Sequence, residues 1–309
     1  MSIVHDHLVP AFSALADADR TWLAAAGLAF LASFACTVAA WRAALVSAGA
    51  RICPRQAAAR IGIGSMVNSF APAKLGDAVK VALCSRAIEA PGRLWTAGGV
   101  YAALGAVRSL TLAALVVVAS LTGAMPLWPV FALVGLVATL VLAGMLSTRL
   151  RSHPRIAEAL RALGVLARSP RTAATVIGWT LGMQVARVAG TVAVAVALGL
   201  PHPFLAALVI LPALDVAAAV PLTPGSIGIG SGAVAVALAS RGIGATQALG
   251  VGFAMQAVET MVSVSLGTAG VAYLLAPNPR ARRIAARVSL VGASAAVAAL
   301  LGVAMLDLI

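Results

Sequence analysis

An all-α polytopic membrane fold is expected, with about six full spans and two re-entrant helical hairpins arranged as an inverted repeat. Three observations predict it. First, 61% of the residues are apolar, only 10% are charged and mean hydropathy is +1.02, against roughly half apolar and a quarter charged in soluble domains. Second, two apolar stretches broken by Pro and Gly, Ile61–Arg86 and Ala218–Arg241, share a plan and end almost identically, as VKVALCSR (Val79–Arg86) and VAVALASR (Val234–Arg241). Third, fifteen of the twenty arginines fall in four segments between apolar runs, 51–60, 86–93, 148–171 and 280–287, where Glu89 and Glu158 are the only acids. Such bias marks cytoplasmic loops and favours anionic lipid headgroups. The alternating segments of about ten residues that a β-barrel needs are not seen.

Each element follows in order. A first span at about Thr21–Gly49 carries Arg42 near its inner end, where it can snorkel to the interface. Arg51, Arg55 and Arg60 place that end in the cytoplasm and the N-terminus outside. Residues 1–20 carry Asp6, Asp17 and Asp19 against a single Arg20 and do not read as a signal peptide. The first hairpin is expected over 61–86. Its exit, Asp77–Arg86, is about 15 Å long at 1.5 Å per residue, half a bilayer core, so with basic flanks at both ends it dips in from the cytoplasm. Leu94–Leu121 then spans outward with Arg108 inside it. A turn at Thr122–Pro126 leads to a return span at about Leu127–Leu146. The loop Ser147–Arg171 has six arginines against one glutamate, and the spacing of Ile156, Ala157, Leu160, Leu163 and Leu166 predicts an amphipathic surface helix.

Thr172–Leu200 spans outward with Arg187 midway. The second hairpin, 204–241, enters from outside. Its descending helix, Phe204–Val220, puts Asp215 about 16 Å down, near the midplane, before Pro221 and Pro224-Gly225 break it and Ser231–Arg241 climbs back. Ala245–Leu275 returns to the cytoplasm with Glu259 inside, Arg280, Arg282, Arg283 and Arg287 mark that side, and Val288–Leu308 leaves the C-terminus outside. The chain therefore reads as a single transmembrane domain over 1–309. Repeat 1 covers about 21–122, a return span and basic loop 127–171, and repeat 2 about 172–275 in the opposite sense, an arrangement common among secondary transporters.

Non-helical backbone at membrane depth survives only where protein buries it or it lines a polar cavity. Two such breaks entering from opposite leaflets frame a midplane site, each aiming the positive N-terminus of a half-helix at it. Asp77 and Ser231 are candidate caps for these half-helices, and Lys74 and Lys80, the only lysines in the chain, stand beside the first. The arrangement favours an anionic group such as a lipid phosphate. Plainer readings stand beside it: PGSIGIGSG can serve close helix packing, Asp77 can be a cap alone, and the lysines can snorkel to the cytoplasmic interface. Arg108, Arg187, Asp215 and Glu259 lie well inside apolar spans, where charge is functional or paired. Arg108 and Glu259 occupy comparable places in the two halves, so a pairing of the two across the pseudo-twofold axis is one way to satisfy them. All four histidines fall in termini or loops, so no intramembrane histidine accompanies the carboxylates and an isolated proton relay is not expected.

Other classes are excluded by what is missing. Neither H-E-x-x-H, G-x-S-x-G nor a P-loop occurs, so no enzymatic activity, metal or cofactor is expected. Cys36, Cys53 and Cys84 have no metal spacing and read as free thiols. No aromatic-rich basic surface suits nucleic acid.

The broken stretches resemble the lysylphosphatidylglycerol synthetase transmembrane-domain family, a flippase-like module found alone or fused to transferase domains. The first carries that family's pattern as Asn68, Pro72, Gly76, Asp77 and Lys80; the second carries its Pro-Gly turn as Pro224, Gly225, Ser226, Ile227 and Gly228. The resemblance extends over essentially the whole chain and is to a stand-alone member, without the aminoacyl-transferase domain. Ser231 stands where the family has glutamate, Val107-Arg108 where it has Glu-Arg, Thr111 where it has an acid, and Glu259 where it has arginine. Substrate and coupling ion are therefore not carried over.

The resemblance implies movement of a lipid or lipid-linked intermediate between leaflets. The expected function is a lipid flippase-like transporter for an anionic phospholipid or polyprenyl-phosphate-linked intermediate in a bacterial inner membrane. Its expected substrate-binding residues are Asn68, Lys74, Asp77, Lys80, Arg108, Arg187, Asp215, Pro224, Gly225, Gly228, Ser231 and Glu259. The alternatives are a secondary transporter of a small anionic solute and a non-transporting partner of a cell-envelope enzyme. Membrane lipids are the expected partners, with a homo-oligomer or an envelope-biosynthesis enzyme as the protein partners considered.

Overall fold

A computed structural model of the chain describes residues 18–71, 75–89, 91–123, 169–219 and 229–276. Among these it has eight helices: α1 (Arg20–Ser47), α2 (Pro54–Phe70), α3 (Leu75–Ser85), α4 (Arg93–Leu121), α5 (Pro170–Ala197), α6 (Pro203–Ala219), α7 (Ile229–Ala239) and α8 (Ala245–Leu275). Strands are absent among the described residues apart from one isolated bridge, Ala50 to Ile88. The return span, surface helix and last span expected at 127–146, 156–166 and 288–308 lie outside the described residues, as do Lys74, Pro224, Gly225 and Gly228.

Four helices, α1, α4, α5 and α8, are long and apolar enough to cross a membrane, at 28, 29, 28 and 31 residues. The molecule is an integral membrane protein of α-helical type. By contrast α3 and α7 have 11 residues each, about half the thickness of a bilayer core. The first hairpin begins earlier than hydropathy suggested. Pro54 occupies the first turn of α2, where its missing N–H costs nothing, so Arg55 and Arg60 sit on the helix.

Helix ends follow from local chemistry. Asp19 caps α1, its carboxylate accepting from the Thr21 hydroxyl at 2.6 Å and the Thr21 N–H at 2.8 Å; these bonds hold the Asp19 carboxyl below its ordinary range. At the other end, Gly49 takes φ +89°, and Gly49 and Ala50 return N–H bonds to Val46 and Leu45. The end of α5 repeats this arrangement with Gly199 at φ +65° and bonds from Gly199 to Val196 and from Leu200 to Ala195. Both are Schellman ends, which need a left-handed residue that glycine supplies without strain.

Tertiary packing places the hairpins at opposite ends. The start of α1 is hydrogen-bonded to the end of α5, Asp19 N–H to the Ala197 carbonyl at 3.1 Å, and the two helices pack antiparallel along their length. Gly190 faces the Phe30 ring and Gly182 faces Cys36 at this contact. One buried cluster joins the end of α1 to the first hairpin and the start of α4 through Trp41, Leu45, Ile61, Cys84 and Val100. Another joins the start of α1 and the end of α5 to the second hairpin and α8 through Phe30, Val194, Ile210, Leu238 and Met255. The first hairpin enters and leaves side by side, since Arg51 N–H bonds the Ala87 carbonyl at 3.1 Å.

Helices α2 and α8 also approach closely. A Cβ on Gly62 would meet the Leu266 carbonyl oxygen at 2.7 Å, while Gly267 and Gly270 lie against Met66 and Ala59. Small residues allow such contact where lipid gives no hydrophobic drive.

Candidate functional site

Two polar clusters sit within this apolar frame. The first is centred on Asp77. Its Oδ1 accepts from Asn68 Nδ2 at 2.8 Å and Lys80 Nζ at 3.0 Å, and its Oδ2 accepts from the Tyr101 hydroxyl at 2.9 Å. The hairpin makes this possible, because Gly64 and Gly76 let α2 and α3 approach closely enough for Asn68 to reach the first turn of α3. Tyr101 comes from α4 and packs on Trp41 with ring centroids 6.0 Å apart.

Three expectations change here. Asp77 is not an N-cap: it is the third residue of α3, its oxygens bond side chains, and its charge still favours the positive helix end. Lys80 does not snorkel to the surface but is held mostly buried against Asp77. Ser231 likewise lies inside α7 and not at its cap; it is buried with Gly252 of α8 against its backbone.

The second cluster joins four helices. Asp215 of α6 accepts from Arg187 Nη1 of α5 at 3.1 and 2.9 Å, and from Arg108 Nη2 of α4 at 2.8 Å. Glu259 of α8 stands 4.0 Å from Arg187 Nη2. Side-chain exposure divides the group: Asp215 is 8% and Arg187 11% exposed, but Arg108 is 50% and Glu259 39%. The expected pairing of Arg108 with Glu259 is therefore corrected. Asp215 lies between the two guanidiniums and takes Arg108, leaving Glu259 to Arg187. Two guanidiniums face two carboxylates, so the cluster is neutral by formal charge, as burial demands.

Tyr101 and Arg108 lie seven residues apart on α4 and hence on one face, about 10 Å apart along the axis. That face links the two clusters. Sequence reasoning singled out neither Tyr101 nor Gln184, although both carried a signal. Tyr101 is two turns before Arg108, and Gln184 one turn before Arg187, positions that share a helix face. Gln184 is 6% exposed, with both amide atoms lacking a hydrogen-bond partner among the described residues. Among the described residues no group of three or more His, Cys, Asp and Glu could hold a metal.

The sequence model of the lysylphosphatidylglycerol synthase TM region matches residues 11–267. The chain belongs to that family. The match takes in both hairpins and all four charges of the second cluster, so Asp77, Arg108, Arg187, Asp215 and Glu259 lie in the family's membrane region. No curated protein matches the chain.

Proposed function

We propose that this family member is a flippase-like transporter that moves an anionic phospholipid or a polyprenyl-phosphate-linked intermediate between leaflets. The observation that carries the reading is the Arg108–Asp215–Arg187–Glu259 network. Four charges from four helices meet in an apolar interior, a costly arrangement that by default marks a substrate or ion path. Arg108 gives Asp215 a hydrogen bond from Nη2 and keeps half its side chain exposed, so its other N–H donors can take a phosphate oxygen.

An inverted repeat fits the packing. α1 and α5 run antiparallel, their Schellman ends match, and each leads into a hairpin at its own end of the molecule. In this reading α2 corresponds to α6 and α8 to α4. The α2–α8 contact is closed by Gly62, Gly267 and Gly270, whereas Gly98 and Gly105 of α4 have nothing within 4 Å among the described residues. The Gly98–Gly105 face of α4 then offers the lateral route that acyl tails need, with Arg108 one turn from Gly105 on the same helix. The arginine-rich loops put both termini outside a bacterial inner membrane.

Leaflet exchange of fluorescent lipids in proteoliposomes tests this. Wild type should exchange an anionic phospholipid faster than a zwitterionic one, and Arg187→Gln and Asp77→Asn should lose that exchange. Equal rates for both lipids, or full exchange in Arg187→Gln, would remove the network from the transport path.

A further inference from the structure

The charge count of the second cluster has a consequence for what must accompany an anion. The empty network is neutral, with two guanidiniums and two carboxylates. Adding a phosphodiester without compensation would leave a net negative charge in an apolar interior, which is expensive. One carboxylate is placed to relieve it. Asp215 accepts three hydrogen bonds at 2.8–3.1 Å and is nearly inaccessible. Glu259 makes no contact shorter than 4.0 Å to Arg187 and is 39% exposed. The gap between Arg187 Nη2 and the Glu259 carboxylate is the one contact of the network too long for a hydrogen bond.

We infer that binding of a phosphodiester anion at Arg108 and Arg187 is coupled to the uptake of one proton by Glu259. The inference rests on the anion-binding reading above and adds its coupling ion. Anion and ionised Glu259 compete for the same guanidinium edge of Arg187. A proton taken from bulk water onto the Glu259 carboxylate frees that edge and keeps the occupied network neutral. Gln184, one turn from Arg187 and buried with an amide that has no partner among the described residues, supplies a further donor on the same face.

The surroundings of Glu259 leave it as the group that titrates. From α5 it faces Arg187, and across the cluster lie Asp215 of α6 and Arg108 of α4. α7 has no titratable side chain; α1 has Arg20, Cys36 and Arg42, and α2 has Arg55 and Arg60, none of them ion-paired with Glu259. Asp77 and Lys80 of α3 pair with each other. A single carboxylate exchanging its proton with water needs no histidine relay.

The test uses the full chain in nanodiscs of zwitterionic lipid. Two probes carry one fixed negative charge: short-chain dihexanoylphosphatidylglycerol and soluble dimethyl phosphate. Dihexanoylphosphatidylcholine is the control. Calorimetric titration in two buffers of different ionisation enthalpy reads the protons taken up per bound anion. Wild type should take up about one proton per anion, and its affinity should fall by up to about tenfold per pH unit where empty Glu259 is ionised. Glu259→Gln should bind without proton uptake and without that pH dependence, while Glu259→Asp should retain both. Proton uptake on binding of the lipid alone, or of both probes, supports the coupling and tells a headgroup site from a general phosphodiester site. Wild-type binding with no proton uptake, or unchanged uptake in Glu259→Gln, overturns the coupling and leaves the anion site standing. Failure of both probes to bind overturns the anion-binding reading and the coupling with it.

Discussion

Replacing Asp215 by asparagine keeps the shape of the side chain and removes the charge that two guanidiniums share. Arg187 is the residue that suffers. It is 11% exposed, it bonds both Asp215 oxygens at 2.9 and 3.1 Å, and its next acid, Glu259, is 4.0 Å away. Removing one partner of a buried pair costs about 3–5 kcal/mol, while half-exposed Arg108 adds only about 0–1 kcal/mol after solvent screening. Polar contacts inside membranes run weaker than expected, because the unfolded state in lipid also finds partners. The lower end, about 3 kcal/mol, is therefore the expectation. Thermal unfolding of the detergent-solubilised protein reads it as a fall in Tm of about 6–12 °C, at about 2–4 °C per kcal/mol. Arg187→Gln alone should be destabilised similarly, and the double variant should be less destabilised than the sum of the two singles by about 2–3 kcal/mol. A Tm loss below about 2 °C for Asp215→Asn, or strict additivity in the double variant, would refute the idea that Asp215 neutralises a buried Arg187.

Tyr101→Phe removes one of the three hydrogen bonds to Asp77 while keeping the ring on Trp41, so a loss of about 1 kcal/mol is expected in the same unfolding assay; an unchanged Tm would place the hydroxyl in solvent. Gly62→Leu drives a side chain into the Leu266 carbonyl and should cost at least about 1–3 kcal/mol, seen as lost monodispersity on size exclusion. Gly98→Leu, at a position where an added Cβ meets nothing within 4 Å among the described residues, should stay within about 0.5 kcal/mol of wild type, and equal behaviour of the two would contradict the difference between these helix faces. Gly49→Ala and Gly199→Ala each force a left-handed backbone on alanine and should lower stability by about 1–2 kcal/mol, with a neutral result at either position showing that the Schellman end had rearranged.

Much of the fold was legible because its causes are local. A run of about 20 apolar residues must become a helix in lipid, since only a helix satisfies its own backbone. The long helices accordingly fall close to their expected bounds, and Ala245–Leu275 falls on them. The end of α2 at Ala71, whose backbone is extended, follows from Pro72, which disfavours a helical conformation in the residue before it. Charges inside Thr172–Leu200 and Ala245–Leu275 stood out for the same reason: a lone Arg187 or Glu259 in such a run has no cheap explanation.

What remained hidden was partnership. Arg108 and Asp215 are 107 residues apart in the chain, and Arg187 and Asp215 are 28 apart. Hydropathy reports how deep a residue lies and not which way its helix face turns, so symmetry suggested Arg108 with Glu259. The rotation of α4 and α6 gave Asp215 to both arginines instead. Tyr101 and Gln184 escaped notice because a hydroxyl or an amide in a long apolar run is unremarkable until another helix brings Asp77 beside it, or brings nothing. Composition, charge bias and the two Pro/Gly-interrupted stretches by themselves determined a helical membrane protein with long spans and shorter helices between them, because the bilayer judges each segment alone. Only the tertiary structure decided which buried charges neutralise one another, because that depends on distances of 3–4 Å set by packing among several helices.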